Sequence, residues 1–140
     1  MHLGCVIFPE VEELDFIGPW EMAGIWGVRF DGPRQRLVVA QTMKTVTCAK
    51  GLQVVPHVDF DRCPQLDILV VPGGQGTRTE VDNPRLIDFI ATQAGGGSKL
   101  LAVCTGAFLL QRAGLLSGKI ATTHWASLDR LRALDDLEVR

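Results

Sequence analysis

Four short apolar segments constrain this chain more than any other feature: "LGCVIF" (3–8), "QRLVVAQ" (35–41), "LDILVVPGG" (66–74) and "KLLAV" (99–103). A strand with one wet face alternates apolar and polar residues. Runs as continuous as these suit strands covered on both faces, as in a parallel sheet. Helical patterns lie between them. Pro19 is placed to open a helix, "PWEMAGIW", that ends near Gly27. Asn83-Pro84 opens "PRLIDFIATQA", which Gly95, Gly96 and Gly97 stop. "TGAFLLQRAGLL" follows the fourth segment, and the short strand "GKIATT" precedes an amphipathic "HWASLDRLRAL". "KTVTCAKGLQVVPHV" carries two β-rich pieces around Lys50-Gly51 and reads as a hairpin or an edge excursion. Strands alternating with helices predict one α/β domain, residues 1–140, with a mostly parallel sheet.

Composition narrows the classes. A chain of 140 residues with 46% hydrophobic and 21% charged residues has room for a core and is not a disordered sequence. Its net charge of -2 leaves no electrostatic footprint for nucleic acid or an anionic membrane. No apolar run approaches the roughly 20 residues that span a bilayer. "MHLGCVIF" lacks the pattern of a secretory signal, so a cytosolic protein is expected. Cys5, Cys48, Cys63 and Cys104 form no C-x-x-C pair, and no His sits at a zinc-finger offset. Free thiols are expected, with neither metal nor organic cofactor. Cys5, Cys48 and Cys63 read as small buried hydrophobes.

Cys104 is different. "AVCTG" places it where a buried strand turns into a helix, in the layout small-x-nucleophile-x-Gly of a nucleophile elbow. A helix N-terminus at that point favours a thiolate; the alternative is simple core packing. Ligands of open parallel sheets gather at the carboxyl ends of the strands. Three loops leave such ends here: residues 9–18, residues 72–77 and the Cys104 turn. The first carries Asp15, which as a lone residue also reads as a turn or cap. Glu21, one turn into the expected helix, is a second acidic candidate. Gly73 and Gly74 let the backbone approach a ligand closely, so their N–H groups, with that of Thr105, are candidates for an oxyanion-binding pair. The Thr105 hydroxyl is a candidate for orienting a water or a substrate nitrogen. His124 reads either as a base for Cys104 or as a helix-start residue beside Trp125. His57 reads as a surface residue, and Trp20, Trp26 and Trp125 as core or subunit contacts.

"VVPGG", "VCTGAFLLQRAGLLSGKIATTHW" and the upstream "ELDFIGPWEM" together resemble the DJ-1/PfpI superfamily across essentially the whole chain. The resemblance implies a flavodoxin-like three-layer sandwich and a catalytic Cys104 faced by an acidic Asp15. Thr105 stands where peptidase-like members usually carry His. Asp in "LDFIGPWE" combined with "CTG" looks most like the isocyanide hydratases, and nearly as much like the sensor halves of AraC-type regulators. For the first group the resemblance implies a small electrophilic substrate and a covalent thioimidate on Cys104, with Asp15 as proton donor. It also implies a homodimer. For the second it implies ligand sensing, and a DJ-1-like glyoxalase, deglycase or redox-sensing role is a third possibility. Family members continue past "HWASLDRL" with another strand or two, a glycine-rich turn and a closing helix, whereas this sequence reads "LDDLEVR" and stops. A C-terminally incomplete domain with one partly uncovered sheet face is therefore expected.

Overall fold

The computed structural model describes residues 1–140. Its central sheet contains β1 (His2–Val6), β2 (Gln35–Ala40), β5 (Val58–Asp59), β6 (Ile68–Val71) and β7 (Lys99–Ala102). The strand order is β5-β2-β1-β6-β7, and every pairing within it is parallel. Cys5 of β1 aligns with Val38 on one side and Val70 on the other, which puts β1 in the middle of the buried layer. Leu69, Val70 and Val71 are fully buried, as the unbroken apolar run requires. β3 (Val46–Thr47) and β4 (Gln53–Val54) form a separate antiparallel hairpin around Lys50-Gly51. β8 (Ile120–Ala121) and β9 (Glu138–Val139) pair in parallel apart from the main sheet.

Helix α1 (Glu13–Arg29) connects β1 to β2. α2 (Thr77–Glu80) and α3 (Pro84–Gly95) connect β6 to β7, and α4 (Gly106–Arg112) follows β7. The chain leaves β1 toward one edge of the sheet and β6 toward the other. With right-handed crossovers, α1 therefore covers one face while α3 and α4 cover the opposite one. This is the three-layer α/β sandwich that the resemblance implies. The order reverses between β1 and β6, so the loops after these strands flank the crevice where such folds bind ligands.

Three boundaries differ from expectation. α1 begins at Glu13, not Pro19, and Pro19 lies inside it. The missing Pro19 N–H deprives the Asp15 carbonyl of its helical partner. The first turn is braced from outside instead: the Glu13 carboxylate accepts the Lys50 N–H at 2.9 Å and the Leu52 N–H at 3.4 Å. α4 ends at Arg112 because Gly114, with φ of 74°, takes the left-handed conformation that stops a helix. The last amphipathic segment starts as a 3-10 turn (Trp125–Ser127) before α5 (Leu128–Arg132). α3 follows its signals: Asn83 caps it by accepting the Arg85 N–H at 3.2 Å, and Pro84 is its first residue.

β7 has a neighbour on one side only, and its Leu101 is 50% exposed. The outer side of α1 is also apolar and open, at Leu14, Met22 and Val28 among others. No helix is long and apolar enough to cross a membrane.

Gly106 sets how closely α4 approaches the sheet. A Cβ there would strike the Val71 carbonyl and come within 2.9 Å of that of Pro72. Gly106→Ala is expected to destabilise the fold by about 1–3 kcal/mol through overpacking against backbone. Urea unfolding midpoints check this, and an unchanged midpoint would show that α4 can move away freely.

Candidate active site

The loops after β1, β6 and β7 converge as the topology demands. Cys104 sits between β7 and α4 with φ of 54°, a left-handed backbone at a non-glycine residue. Such a conformation persists only where neighbours enforce it. The Thr123 hydroxyl donates to the Cys104 carbonyl at 2.9 Å, and the Gly106 N–H closes back onto the Val103 carbonyl at 2.9 Å. Below the turn, the Gly74 N–H donates to Thr105 Oγ1 at 3.0 Å. Thr77, fully buried, reaches both the Gly74 carbonyl at 2.8 Å and Thr105 Oγ1 at 3.2 Å. The β6 loop and the cysteine turn are thereby locked to each other.

Asp15 is the acidic group brought to the sulfur. It lies in the first turn of α1, with its side chain buried, so the expectation that it precedes the first helix is corrected. Its Oδ2 accepts the Gly73 N–H at 3.0 Å. Burial pushes the carboxyl above its ordinary range, and the charge of Glu12 adds to this. The Gly73 N–H, the Cys104 thiol as a hydrogen-bond partner and the charge of His124 pull the other way without reversing it. Cys104 is partly exposed. Burial raises its thiol as well, and the Thr105 N–H opposes this, while the charges of Asp15 and Glu12 add to it. The simple expectation of a thiolate favoured by a helix terminus is therefore corrected: in this pocket desolvation outweighs the amide. The two acids each hold their proton above the ordinary range, and each feels the other.

Gly73 and Gly74 have different work from that expected. Their N–H groups are occupied by Asp15 and Thr105 and do not point at an empty anion site. Of the three amides considered, only that of Thr105 acts on the sulfur. The glycines are needed for space: a Cβ on Gly73 would lie 2.6 Å from both the nitrogen and the hydroxyl of Thr105 and 3.1 Å from Asp15 Oδ2. Gly74 has φ of 116°. The Thr105 hydroxyl is buried and accepts from the Gly74 N–H and the Thr77 hydroxyl, and its hydrogen bond to the Cys104 sulfur works against the burial that raises the thiol.

His124 is exposed, caps its own turn by accepting the Ala126 N–H at Nδ1 (3.2 Å), and packs against Trp125 at 5.2 Å. It acts on Asp15 only through its charge. Glu21 is exposed and lies six residues beyond Asp15 in α1, which rotates it to another side of the helix. It lines a shallow groove with Trp20 and Ile25 and takes no part in the site. Trp20 packs on the core, whereas Trp125 is 78% exposed and is no core residue. His57 is exposed, but it accepts the Val38 N–H at 2.9 Å and stacks on Trp20. The other thiols are free, and burial pushes Cys5 up to about 12 and Cys48 and Cys63 to about 11; Cys63 is only partly buried, not the buried residue expected. No group of three or more His, Cys, Asp or Glu side chains is arranged to hold a metal ion.

Sequence reading missed Thr77 and Thr123. Their signal is faint: a hydroxyl residue three positions after Gly74, and another beside His124. Neither marks itself until the fold brings it to the cysteine turn.

A thiol held on a strained strand-to-helix turn, with a buried acid from the first turn of α1 beside it, defines a class of α/β proteins built around one cysteine. The DJ-1/PfpI family matches residues 3–137, and the chain belongs to this family. It is 38% identical to the isonitrile hydratase of Pseudomonas putida along its whole length, which is 59% of that protein. It is 39% identical to the HTH-type transcriptional regulator GbdR of Pseudomonas aeruginosa over 61% of this chain and 23% of that one. A crystal structure of a ThiJ/PfpI family protein from Pseudomonas syringae superposes with a TM-score of 0.84 at 29% identity, covering 97% of this chain and 55% of the other. The chain thus spans less than two thirds of these relatives.

The opposed influences on Cys104 make a prediction. Its alkylation by iodoacetamide should set in at higher pH than for an ordinary exposed thiol. Asp15→Asn removes a negative charge that raises the thiol, so the onset should move to lower pH. An onset unmoved or moved upward would show that the carboxyl does not act on the sulfur.

Proposed function

We propose that this chain carries the cysteine-dependent hydration of isocyanides (isonitriles) to N-substituted formamides. The observation that carries the reading is the buried Asp15 carboxyl held by the Gly73 N–H beside the partly exposed Cys104 thiol. The 38% identity to an isonitrile hydratase supports the choice of substrate class.

The chemistry needs one proton shared between two acids. Isocyanide carbon is electrophilic and also accepts a proton. The sulfur's proton passes to Asp15, the thiolate forms the S–C bond, and Asp15 delivers that proton to the same carbon, leaving a thioimidate. Water then adds across the C=N bond. Its hydroxyl goes to carbon, and its proton reaches nitrogen by way of the Asp15 carboxylate. Collapse breaks the C–S bond, the hydroxyl proton returns to Asp15, and the formamide leaves. Atoms balance as isocyanide plus water, with no oxidant and no cofactor in the sequence of steps. The raised carboxyl suits this exchange, because Asp15 can take up the proton the thiol gives up and pass it on. The Thr105 N–H stabilises the sulfur whenever it is anionic.

A sensing reading is favoured by the GbdR match, since a regulator's domain would use the same crevice to bind without turnover. The reading also includes a homodimer, supported by the apolar outer side of α1 next to Asp15, where Leu14 is 73% exposed.

Purified chain assayed against a panel of alkyl and aryl isocyanides should form the corresponding formamides. Cys104→Ala should fall to the uncatalysed rate, and Asp15→Asn should lose about 10²–10⁴-fold in kcat. Full activity in Cys104→Ala would end the covalent account, and saturable binding without turnover by the intact thiol would favour the sensor.

A further inference from the structure

A second cavity opens on the other side of the β1 loop from Cys104, over the carboxyl ends of β1 and β2. Its volume is about 460 Å³, within the range of small-molecule sites. The apolar walls are Ile7, Phe8, Ala40, Val46, Phe60 and Leu86. None of Cys104, Asp15, Gly73 or Thr105 lines it. Among these walls stands one acid, Glu80 of α2, only 9% exposed. No lysine, arginine or histidine pairs with it: the ion pairs of the molecule involve Glu12, Asp59, Asp61, Asp82, Asp129 and Glu138. Its one side-chain partner is neutral, with Asn83 Nδ2 donating to Oε2 at 2.7 Å.

Asn83 is itself fixed. It caps α3 through Oδ1 and also donates to Gln41 Oε1 at 2.8 Å. The carboxyl is therefore held in one orientation, with Oε1 accepting no hydrogen bond from the protein. Oε1 stays open to solvent within the cavity, since no buried side-chain oxygen lacks a partner, and it is free to accept a hydrogen bond from a ligand. No other lining side chain hydrogen-bonds to Glu80. Gln41, Thr42, Thr45 and Thr47 are exposed at the mouth, and the only cation, Lys44, is exposed there too.

We infer that this cavity binds a small organic cation, an ammonium on an apolar body, with the charge on Glu80 and the body against Phe8, Phe60 and Leu86. The walls remove apolar surface from water, and Glu80 discriminates for positive charge. An anionic or neutral ligand of the same shape leaves the carboxyl unmatched, which penalises it.

The test uses benzylammonium, benzyl alcohol and benzoate as probes of one shape and three charges, titrated calorimetrically into the intact chain at low salt. Benzylammonium should bind saturably and about tenfold or more tighter than benzyl alcohol, with benzoate weakest. Glu80→Gln should erase the difference between the cation and the alcohol. Lys44→Glu, at an exposed mouth position that a folded chain tolerates, should tighten benzylammonium about two- to fivefold by replacing a repelling charge. This variant carries the test even if Glu80→Gln fails to fold. Benzyl alcohol binding as tightly as benzylammonium, no saturable binding of the cation, or no gain in Lys44→Glu would each overturn the proposal.

Discussion

The left-handed backbone at Cys104 is the constraint around which the site is arranged. A residue with a Cβ resists φ of 54°, so the turn must be held from several sides. Thr123 holds its carbonyl, Gly106 closes it from the helix side, and the Gly74–Thr105–Thr77 network ties it to the loop after β6. Parallel β6 and β7 make this possible, because Val71 pairs with Ala102 and their loops leave the sheet side by side. The strain raises the sulfur to the end of the sheet without sinking it in hydrocarbon.

Once that turn is fixed, Asp15 follows. The Gly73 N–H that holds the carboxyl belongs to the same loop that holds Thr105, so acid and thiol are positioned from one piece of backbone. The absence of a side chain on Gly73 is what lets the three groups meet. Burial then raises both acids, and each also acts on the other: the Asp15 charge raises the thiol, and the thiol's hydrogen bond lowers the carboxyl. Affinity for a proton on each partner, more than a permanently ionised sulfur, is the chemical character of this site.

The sheet was legible because continuous apolar segments such as 68–71 have few other ways to be buried, and the helix ends were legible at Asn83 and at the Gly95–Gly97 stop. The start of α1 was not, because a proline at Pro19 imitates a first-turn residue, while the actual start depends on Glu13 meeting a hairpin 37 residues away. Cys104 and Asp15 announced themselves through turn chemistry and motif. The duties of the Gly73 and Gly74 amides did not, since their partners lie 58 and 31 residues distant and decide whether an N–H faces a ligand or the protein. The direction of the Cys104 shift was equally hidden: a sequence shows a helix terminus but not the burial that outweighs it. Glu80 gave no sign at all, because an acid in a short helix looks solvent-facing until the walls around it are known.

The account rests on Asp15 and Cys104 acting on one another's protons. Following the Asp15 carboxyl carbon by NMR across a pH titration measures this directly, with Asp15→Asn identifying the resonance. Asp15 should titrate above the ordinary aspartate range, and in Cys104→Ala it should move higher still, because the thiol's hydrogen bond to the carboxylate is lost. A midpoint at or below the ordinary range, or one indifferent to removal of the sulfur, would contradict it.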